Sequence, residues 1–218
     1  MKVVVFGASG MVGQGVLREC LLDGGVESVL SVGRRSTGQK VAKLREIVHE
    51  DFTDFGAIAD DLSGHDACFF CLGVSSAGMN ETDYRRITYD FTMAAARVLA
   101  ERSPGMTFVY VSGAGTDGRS MWARVKRETE NALLDLPFRA AYMLRPAYIQ
   151  PLHGAVSSTP WTRRMYAVAG PLYPIWKRLL PKYVTTTEQV GRAMIHVVRH
   201  GSQKRVLEND DINGVGGE

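Results

Sequence analysis

The chain has 218 residues, of which 45% are hydrophobic and 22% charged, and its formal net charge is +3. This length suits one well-cored domain, and the composition is ordinary for a globular protein. The small charge and the lack of a dense Lys/Arg run argue against a nucleic-acid partner. No stretch reaches the roughly 18–20 apolar residues of a membrane span, and the opening apolar run is too short for a signal peptide, so we expect a cytoplasmic protein.

Short apolar runs alternate with helical patterns through the first two thirds of the chain. The predicted strands are Val3–Phe6, Val29–Val32, Ile47–Val48, Ala67–Leu72, Met106–Val111 and Ala140–Leu144. The predicted helices are Met11–Leu22, one that Asn80 caps and that reaches Arg102, and Ser120–Leu134. This order predicts an α/β fold with a doubly wound parallel sheet and helices on both faces, in a single domain over residues 1–218.

Residues from about 146 to 187 have a different character, because six prolines divide them into short pieces. Aromatic and basic side chains are interleaved over residues 161–178, which fits a small substrate lobe, a dimer surface or a membrane-surface patch. We expect an irregular, amphipathic cover over the ligand cleft. Beyond it, Thr185 and Glu188 form a predicted capping box for a helix over Gln189–Arg199, which Gly201 ends, and Arg205–Glu208 can add one more strand.

Three cysteines, Cys20, Cys68 and Cys71, form an odd and sparse set that is typical of a reducing compartment. Cys68 and Cys71 enclose two phenylalanines in an apolar run. Residues three apart on a strand face opposite sides of the sheet. The geometry therefore favours core positions over a metal or redox site, and we expect no bound metal.

A glycine-rich loop lies between the first strand and the first helix. Gly7 permits a tight turn, Gly10 removes a side chain where backbone must approach phosphate, and Gly13 lets the helix pack closely. The free N–H groups and positive dipole end of the helix then favour an anion. We expect the loop to bind the pyrophosphate of a nicotinamide dinucleotide through Gly7, Ala8, Ser9, Gly10, Met11, Val12 and Gly13.

The end of the second strand bears on the choice between NADP and NAD. NAD sites place an acidic residue about 20 residues past the glycine loop, whereas this chain has Arg34 and Arg35 there. Two guanidinium groups can bracket a ribose 2′-phosphate, so we expect NADP(H) rather than NAD(H); the alternative is a solvated arginine pair. Asp51 and Phe52 follow the third strand, where the adenine can rest, although a turn former and a core contact would look the same.

The ordered set of motifs resembles the short-chain dehydrogenase/reductase superfamily in its atypical branch, and within it the Tat-interacting-protein-like group of NADPH-binding proteins. The resemblance rests on the Gly7, Gly10 and Gly13 spacing and on short motifs in the same order. These are Gly33-Arg34-Arg35, Gly64-His65-Asp66, Cys71-Leu72-Gly73, Val125-Lys126 with Glu128 and Glu130, Leu144-Arg145-Pro146, Arg192-Ala193-Met194 and Leu207-Glu208-Asn209.

The resemblance implies a Rossmann-type sheet with strand order 3-2-1-4-5-6. It implies further cofactor contacts from Leu72, Gly73, Val74, Lys126, Arg145 and Pro146. It also implies a catalytic Ser, Tyr and Lys. Ser112 and Lys126 match the first and last, but Trp122 occupies the tyrosine position. An indole N–H donates a hydrogen bond but does not ionise near neutral pH, so Trp122 cannot act as a general acid or base.

Three functions follow from this departure. The leading one is an NADPH-dependent oxidoreductase or epimerase-like enzyme on a small carbonyl compound, with Tyr148, or more weakly His153, as the replacement proton donor. The alternative for Tyr148 is a packed aromatic residue, and the alternative for His153 is a surface loop residue. In the second, hydride passes to a flavin or quinone that takes no proton from the protein. The alternative is a non-catalytic NADP(H)-binding regulator that acts through protein contacts; the pattern leaves monomer and homodimer open.

Overall fold

The computed structural model describes residues 1–156 and 178–217. Its centre is a seven-stranded parallel sheet with the order β3-β2-β1-β4-β5-β6-β9. Two further strands, β7 and β8, pair in parallel in a small separate sheet. The strands are β1 Lys2–Phe6, β2 Ser28–Gly33, β3 Leu44–Val48, β4 Ala67–Phe70, β5 Thr107–Val111, β6 Ala140–Arg145, β7 Tyr148–Gln150, β8 Val184–Thr186 and β9 Val206–Glu208.

Helices cover both faces of the large sheet. Those in the described ranges are α1 Met11–Leu22, α2 Glu81–Arg85, α3 Phe91–Arg102, α4 Met121–Leu134, α5 Thr187–His200 and α6 Asn209–Gly216. The cluster that contains Val3 and Val5 of β1 packs against α1, α5 and α6. The cluster that contains Val4 and Phe6 packs against α3 and α4. Alternate residues of one strand thus enter two cores, which confirms the doubly wound sheet.

The segment that Asn80 caps is continuous but not uniformly α-helical. The Asn80 Oδ1 accepts the Asp83 backbone N–H at 2.9 Å, as the sequence predicts. A π-helical turn over Arg86–Asp90 then separates α2 from α3. This turn shifts the register of α2 relative to α3, which sequence periodicity alone does not reveal.

Several predicted boundaries are wrong by one or two residues. Strand β4 ends at Phe70, two residues before Leu72. The cap of α5 is Thr186, whose hydroxyl oxygen accepts the Gln189 N–H at 3.0 Å, and not Thr185, which lies on β8. Because a capping box depends on one N-cap residue, the shift by one residue removes the predicted Thr185–Glu188 pairing.

The C-terminal part holds elements that the sequence pattern did not indicate. Strands β7 and β8 order the two ends of the region predicted to be irregular. Helix α6 begins at a capping box. The Glu208 side chain accepts the backbone N–H of Asp211, and the Asp211 side chain accepts the backbone N–H of Glu208. Residues 157–177, with most of the aromatic and basic side chains of the predicted cover, lie outside the described residues.

The two cysteines at C-x-x-C spacing face opposite sides of the sheet, as predicted. Cys68 is part of the core beside α3 and α4, whereas Cys71, just past β4, packs against the core beside α1. Burial raises the pKa of both thiols well above the usual range. Across the described ranges, no helix combines the length and apolar character that crossing a membrane requires.

Candidate functional site

A cavity of about 780 Å³ lies at the carboxyl ends of the central strands. Its walls come from the loops after β1, β2, β4, β5 and β6 and from helices α2 and α4. Ligands of open parallel sheets bind in this position, where the strand order reverses between β1 and β4. The site residues expected from sequence that line it are Gly7, Ser9, Gly10, Met11, Val12, Arg34, Leu72, Gly73, Val74, Ser112, Trp122, Lys126 and Pro146.

The glycine turn is shaped by close backbone contacts. Gly7 has φ +80°, and a Cβ there would lie 2.8 Å from the Leu72 backbone nitrogen. A Cβ on Gly13 would lie 2.0 Å from the Gly7 carbonyl oxygen. Gly7 therefore joins the turn to the loop after β4, and Gly13 seats α1 directly on the turn. Ala8 is buried within this turn and does not line the cavity.

The first turn of α1 faces the cavity without a side-chain cap. Gly10 is the N-cap residue, and it contributes no side chain to satisfy the first backbone N–H groups. Ser9, Met11 and Val12 line the cavity beside it. An uncapped helix N-terminus at the edge of a large cavity fits a dinucleotide pyrophosphate, because its N–H groups and dipole favour an anion.

Arg34 and Arg35 are both exposed at the end of β2, but only Arg34 lines the cavity. Within the described part of the chain, neither guanidinium group makes a hydrogen bond or ion pair. The nearby acidic residue Glu46 accepts bonds from the Ser36 hydroxyl at 2.6 Å and the Thr37 N–H at 2.7 Å. Glu46 therefore holds the loop that follows the arginines.

The wall opposite the glycine turn carries Ser112 and Trp122. Ser112 is buried just past β5, and its Oγ lies 3.2 Å from the Thr116 hydroxyl. Because Thr116 donates its hydrogen to the Gly113 carbonyl at 2.7 Å, Ser112 is the donor within this pair. The indole of Trp122 lies over the same loop, since a Cβ on Gly115 would be 3.4 Å from its Cη2. The loop after β5 thus holds both side chains in place.

Lys126 lies one turn beyond Trp122 on α4, and it is buried. Its ammonium group donates to the Val111 carbonyl at 3.0 Å and lies 4.7 Å from the centre of the Tyr110 ring. Burial lowers the pKa of Lys126 to about 8, although the charge of Glu130 opposes the shift. The ammonium is therefore fixed against the end of β5, in the cavity wall that also holds Ser112.

The two residues expected to contact the adenine, Asp51 and Phe52, lie outside the walls of this cavity. Phe52 is buried in an aromatic cluster with Phe55, at 5.5 Å between ring centres, and it does not line the cavity. Asp51 lies outside the cavity as well, and its Oδ1 accepts the backbone N–H of Thr53 at 2.8 Å. Asp51 thus forms a local turn and Phe52 a core contact, which were the alternative predictions for these two residues.

Arg145, an expected cofactor contact, lies in an ion-pair cluster outside the cavity wall. Its guanidinium group is held by Glu130 at 2.6 Å, Asp117 at 2.8 Å and Glu208 at 3.0 Å, and it does not line the cavity. The hydrogen bond with Glu130 is the main cause of the raised pKa of Arg145. Neighbouring residues at the end of a strand point in opposite directions. Pro146 therefore lines the cavity, whereas the Arg145 side chain points away from it into the ion pair with Glu130.

The proposed replacement proton donors also lie elsewhere. The Tyr148 hydroxyl donates to Gln150 Oε1 at 3.0 Å, and Tyr148 is absent from the cavity wall. His153 pairs with Glu188 at 2.6 Å beside a different surface cleft. The cavity wall instead includes Tyr84 of α2, which sequence reasoning missed. Its position four residues after the Asn80 cap was the available signal, but it does not distinguish Tyr84 from a core aromatic residue.

Comparisons with known proteins agree with this geometry. The family model described as NAD(P)H-binding matches residues 7–146. The chain is 29% identical to Protein HTATIP2 of Rattus norvegicus, over 99% of this chain and 89% of that protein. It is also 28% identical to Protein fmp52-2, mitochondrial, of Aspergillus oryzae, over 66% of each chain.

Solved structures show the same fold at low sequence identity. A short-chain dehydrogenase family protein from Francisella tularensis matches with a TM-score of 0.68 and 14% identity, covering 95% of each chain. The Bordetella bronchiseptica enzyme WbmF in complex with NAD+ matches with a TM-score of 0.70 and 17% identity, covering 99% of this chain and 78% of WbmF. The chain resembles the Tat-interacting-protein-like group of atypical short-chain dehydrogenases/reductases and shares their fold, and it belongs to the NAD(P)H-binding family.

Proposed function

We propose that this protein is an NADPH-dependent reductase or epimerase-like enzyme that acts on a small, uncharged carbonyl compound. The observation that carries the proposal is the common cavity, which the uncapped α1 terminus and Arg34 line together with Ser112 and Lys126. A pyrophosphate site alone would not require a buried serine in the wall opposite the glycine turn.

The NADP preference is inferred from the charge at the end of β2. A ribose 2′-phosphate is doubly negative over part of the physiological pH range, and a guanidinium group binds it through charge-assisted hydrogen bonds. Arg34 lines the cavity, and the one acidic side chain that contacts the following loop, Glu46, is occupied by Ser36 and Thr37. No carboxylate in the described part of this loop is placed to accept a ribose 2′-hydroxyl.

In the proposed reaction, some residues of the cavity bind the cofactor and others polarise the substrate carbonyl. When bound, the nicotinamide supplies hydride to an electrophilic carbon. The glycine turn and α1 bind the pyrophosphate, and Lys126 provides a fixed positive charge in the cavity wall. Ser112 donates a hydrogen bond to the substrate oxygen after its hydroxyl turns from Thr116. Leu72, Val74 and Trp122 exclude water and favour an uncharged substrate.

A second candidate function is a non-catalytic NADP(H)-binding regulator. The observation that favours it is Trp122 in the position where the resemblance implies a tyrosine, since an indole N–H does not ionise near neutral pH and cannot act as a general acid. The two candidates share the cofactor site and differ in whether reduction of a carbonyl occurs. The relative in rat has a printed name that describes no reaction.

The Arg34→Asp variant tests the cofactor preference. Replacing a charge-assisted contact with a repulsive carboxylate should weaken NADPH binding by roughly 10–100-fold and shift the preference toward NADH. The measurement is a fluorescence titration of purified protein with each cofactor. Arg35→Asp is the matched control, because it makes the same charge change at an exposed neighbour that does not line the cavity.

Three results would contradict parts of this proposal. Equal effects of the two variants would mean that general charge, rather than Arg34, sets affinity. Unchanged relative affinities in Arg34→Asp would remove the NADP preference. Failure of the unmodified protein to bind either cofactor would remove the function altogether.

Location and partners stay predictions from the sequence. The cytoplasmic location is one of them, and the Aspergillus and Chaetomium relatives carry the word mitochondrial in their names. A small-molecule substrate, no nucleic acid, and a monomer or homodimer are the others. Cell fractionation and light scattering of purified protein would test the location and the oligomeric state.

A further inference from the structure

The cavity contains a tyrosine on a different helix from the one that carries the family's catalytic residues. Within the described part of the chain, Tyr84 of α2 is the one tyrosine that lines this cavity. It shares the wall with Ser112, Trp122 and Lys126, and its side chain is 2% exposed. Tyrosine is a general acid of the kind that carbonyl reduction uses, and Trp122 is not.

Two ion pairs hold α2 against α4. Arg85 contacts Glu128 at 2.6 Å, and Arg124 contacts Glu81 at 2.8 Å. Arg85, next to Tyr84 in the chain, reaches α4 two residues beyond Lys126, and Glu81, one turn before Tyr84, contacts α4 two residues beyond Trp122. Both pairs join α2 to α4, so they help to set the position of Tyr84 relative to the serine and lysine of the cavity.

The surroundings of Tyr84 favour the protonated form of its hydroxyl group. Burial raises the pKa of Tyr84, and the Thr88 hydroxyl opposes that shift. A buried phenol is therefore in its acid form at neutral pH. Burial, together with the nearby Tyr84, raises the pKa of Tyr110. The Lys126 ammonium lies 4.7 Å from the centre of the Tyr110 ring. Tyr84 therefore belongs to the same buried group of side chains as Tyr110 and Lys126.

We propose that Tyr84 is the proton donor of this enzyme and takes over the task for which Trp122 lacks a proton. The proposal rests on the proposed function, in which a reduced nicotinamide dinucleotide delivers hydride to the carbonyl carbon. The carbon–oxygen π pair becomes a lone pair on oxygen. Tyr84 Oη transfers its proton to that oxygen, the electron pair of the broken O–H bond stays on Oη, and solvent water reprotonates the phenolate after product leaves.

The first experiment reads the hydrogen bond without turnover. The probe is 4-(dimethylamino)cinnamaldehyde, whose visible absorption moves to longer wavelength when a donor binds its carbonyl oxygen. We expect this shift with the protein saturated in oxidised NADP, a smaller shift in Tyr84→Phe, where Ser112 remains as a donor, and the full shift in Tyr89→Phe. Tyr89 is the matched control, since it lies on the following turn, stacks on Arg85 at 4.2 Å and does not line the cavity.

The second experiment measures reduction of the same aldehyde by NADPH. Loss of a general acid lowers the rate by about 100-fold or more, so we expect Tyr84→Phe to lower kcat to that extent with little change in NADPH affinity. Trp122→Tyr should restore reduction in the Tyr84→Phe background, because it returns a phenol to the other wall of the cavity. Thermal unfolding of each variant checks that the fold is intact.

The outcomes separate this inference from the proposed function. An unshifted spectrum in the unmodified protein, or a shift in Tyr84→Phe as large as that in Tyr89→Phe, overturns the role of Tyr84. A kcat of Tyr84→Phe equal to that of Tyr89→Phe overturns it as well. Failure of the unmodified protein to bind NADPH refutes the proposed function instead, because both experiments on Tyr84 begin from the protein with bound cofactor.

Discussion

The buried ammonium of Lys126 illustrates how one residue serves binding at a cost to stability. Lys126 is only 9% exposed, its hydrogen-bond partner is a neutral carbonyl, and the nearest charge that favours it belongs to Glu130. Burial of a charged group without a direct counter-ion lowers the free energy of unfolding. The same positive charge lies in the wall of a cavity that fits an anionic dinucleotide.

Because Lys126 is buried in the cavity wall, the free energy of unfolding and the NADPH affinity should depend on pH in opposite directions. The pKa of Lys126 is about 8 in the folded protein, against about 10.4 in an unfolded chain. Between these values the unfolded state binds more protons, so the free energy of unfolding should rise as pH increases from 8 toward 10. NADPH affinity should fall over the same range, because the ammonium loses its charge.

Lys126→Met is the reference for both measurements. Urea unfolding and NADPH titration at several pH values should show that the variant lacks both trends. If the unmodified protein and Lys126→Met have parallel profiles between pH 8 and 10, Lys126 does not titrate in this range.

At the scale of the elements, the glycine turn and α1 form one unit with the loop after β4. The turn is determined by backbone contacts at Gly7 and Gly13, which leave no room for a side chain. Both contacts involve backbone rather than a flexible side chain, so neither neighbour can move without moving an element. The N-terminus of α1 owes its position to these contacts.

The Gly13→Ala variant tests this unit. Its Cβ would lie 2.0 Å from the Gly7 carbonyl oxygen, which forces α1 away from the turn. Overpacking of this kind costs about 1–3 kcal/mol, and displacement of α1 should abolish NADPH binding. Gly24→Ala is the control, because no atom lies within 4 Å of its Cβ. Unfolding by urea and cofactor titration measure both effects; a Gly13→Ala protein that binds NADPH normally would contradict the argument.

At the scale of the whole molecule, Arg145 connects parts that are distant in sequence. It joins β6 to Glu130 of α4, to Asp117 in the loop after β5 and to Glu208 at the end of β9. Glu130 is 2% exposed, so its charge depends on Arg145 for compensation. Helix α4, the loop after β5 and the edge strand β9 thus all contact the Arg145 guanidinium group, and its pair with Glu130 is buried.

Loss of one partner should be far more harmful than loss of both. Breaking a buried ion pair costs about 3–5 kcal/mol, whereas replacing both partners with apolar residues is often close to neutral. Arg145→Met should therefore be strongly destabilised in urea, and Arg145→Met with Glu130→Met much less so. Arg45→Met removes an exposed pair with Asp61 and should change stability by about 0–1 kcal/mol. Equal stabilities of the single and double variants would show that Glu130 is not left uncompensated.

Local patterns were sufficient for the sheet and for most of the cavity wall. Apolar runs of four to six residues are typical of parallel strands that are buried on both faces, and the spacing of the three glycines marks the turn between β1 and α1. The positions of Ser112, Trp122 and Lys126 came from the family resemblance, and the structure brings them to one cavity. Arg34 followed from its place at the end of β2 and the sign of its charge.

Tertiary structure decided which neighbour in each pair of candidates reaches the cavity. Arg34 lines it and Arg35 does not; Pro146 lines it and Arg145 is buried in an ion pair. Phe52 joined an aromatic cluster, and Tyr84 entered the wall from a helix that no catalytic motif marks. The physical reason is that composition and periodicity report the face of an element, whereas the position of a side chain in a cavity depends on contacts between elements distant in the chain. By itself, the sequence determined the fold and the chemistry at the strand ends, and only packing between α2 and α4 decided which tyrosine faces the cavity.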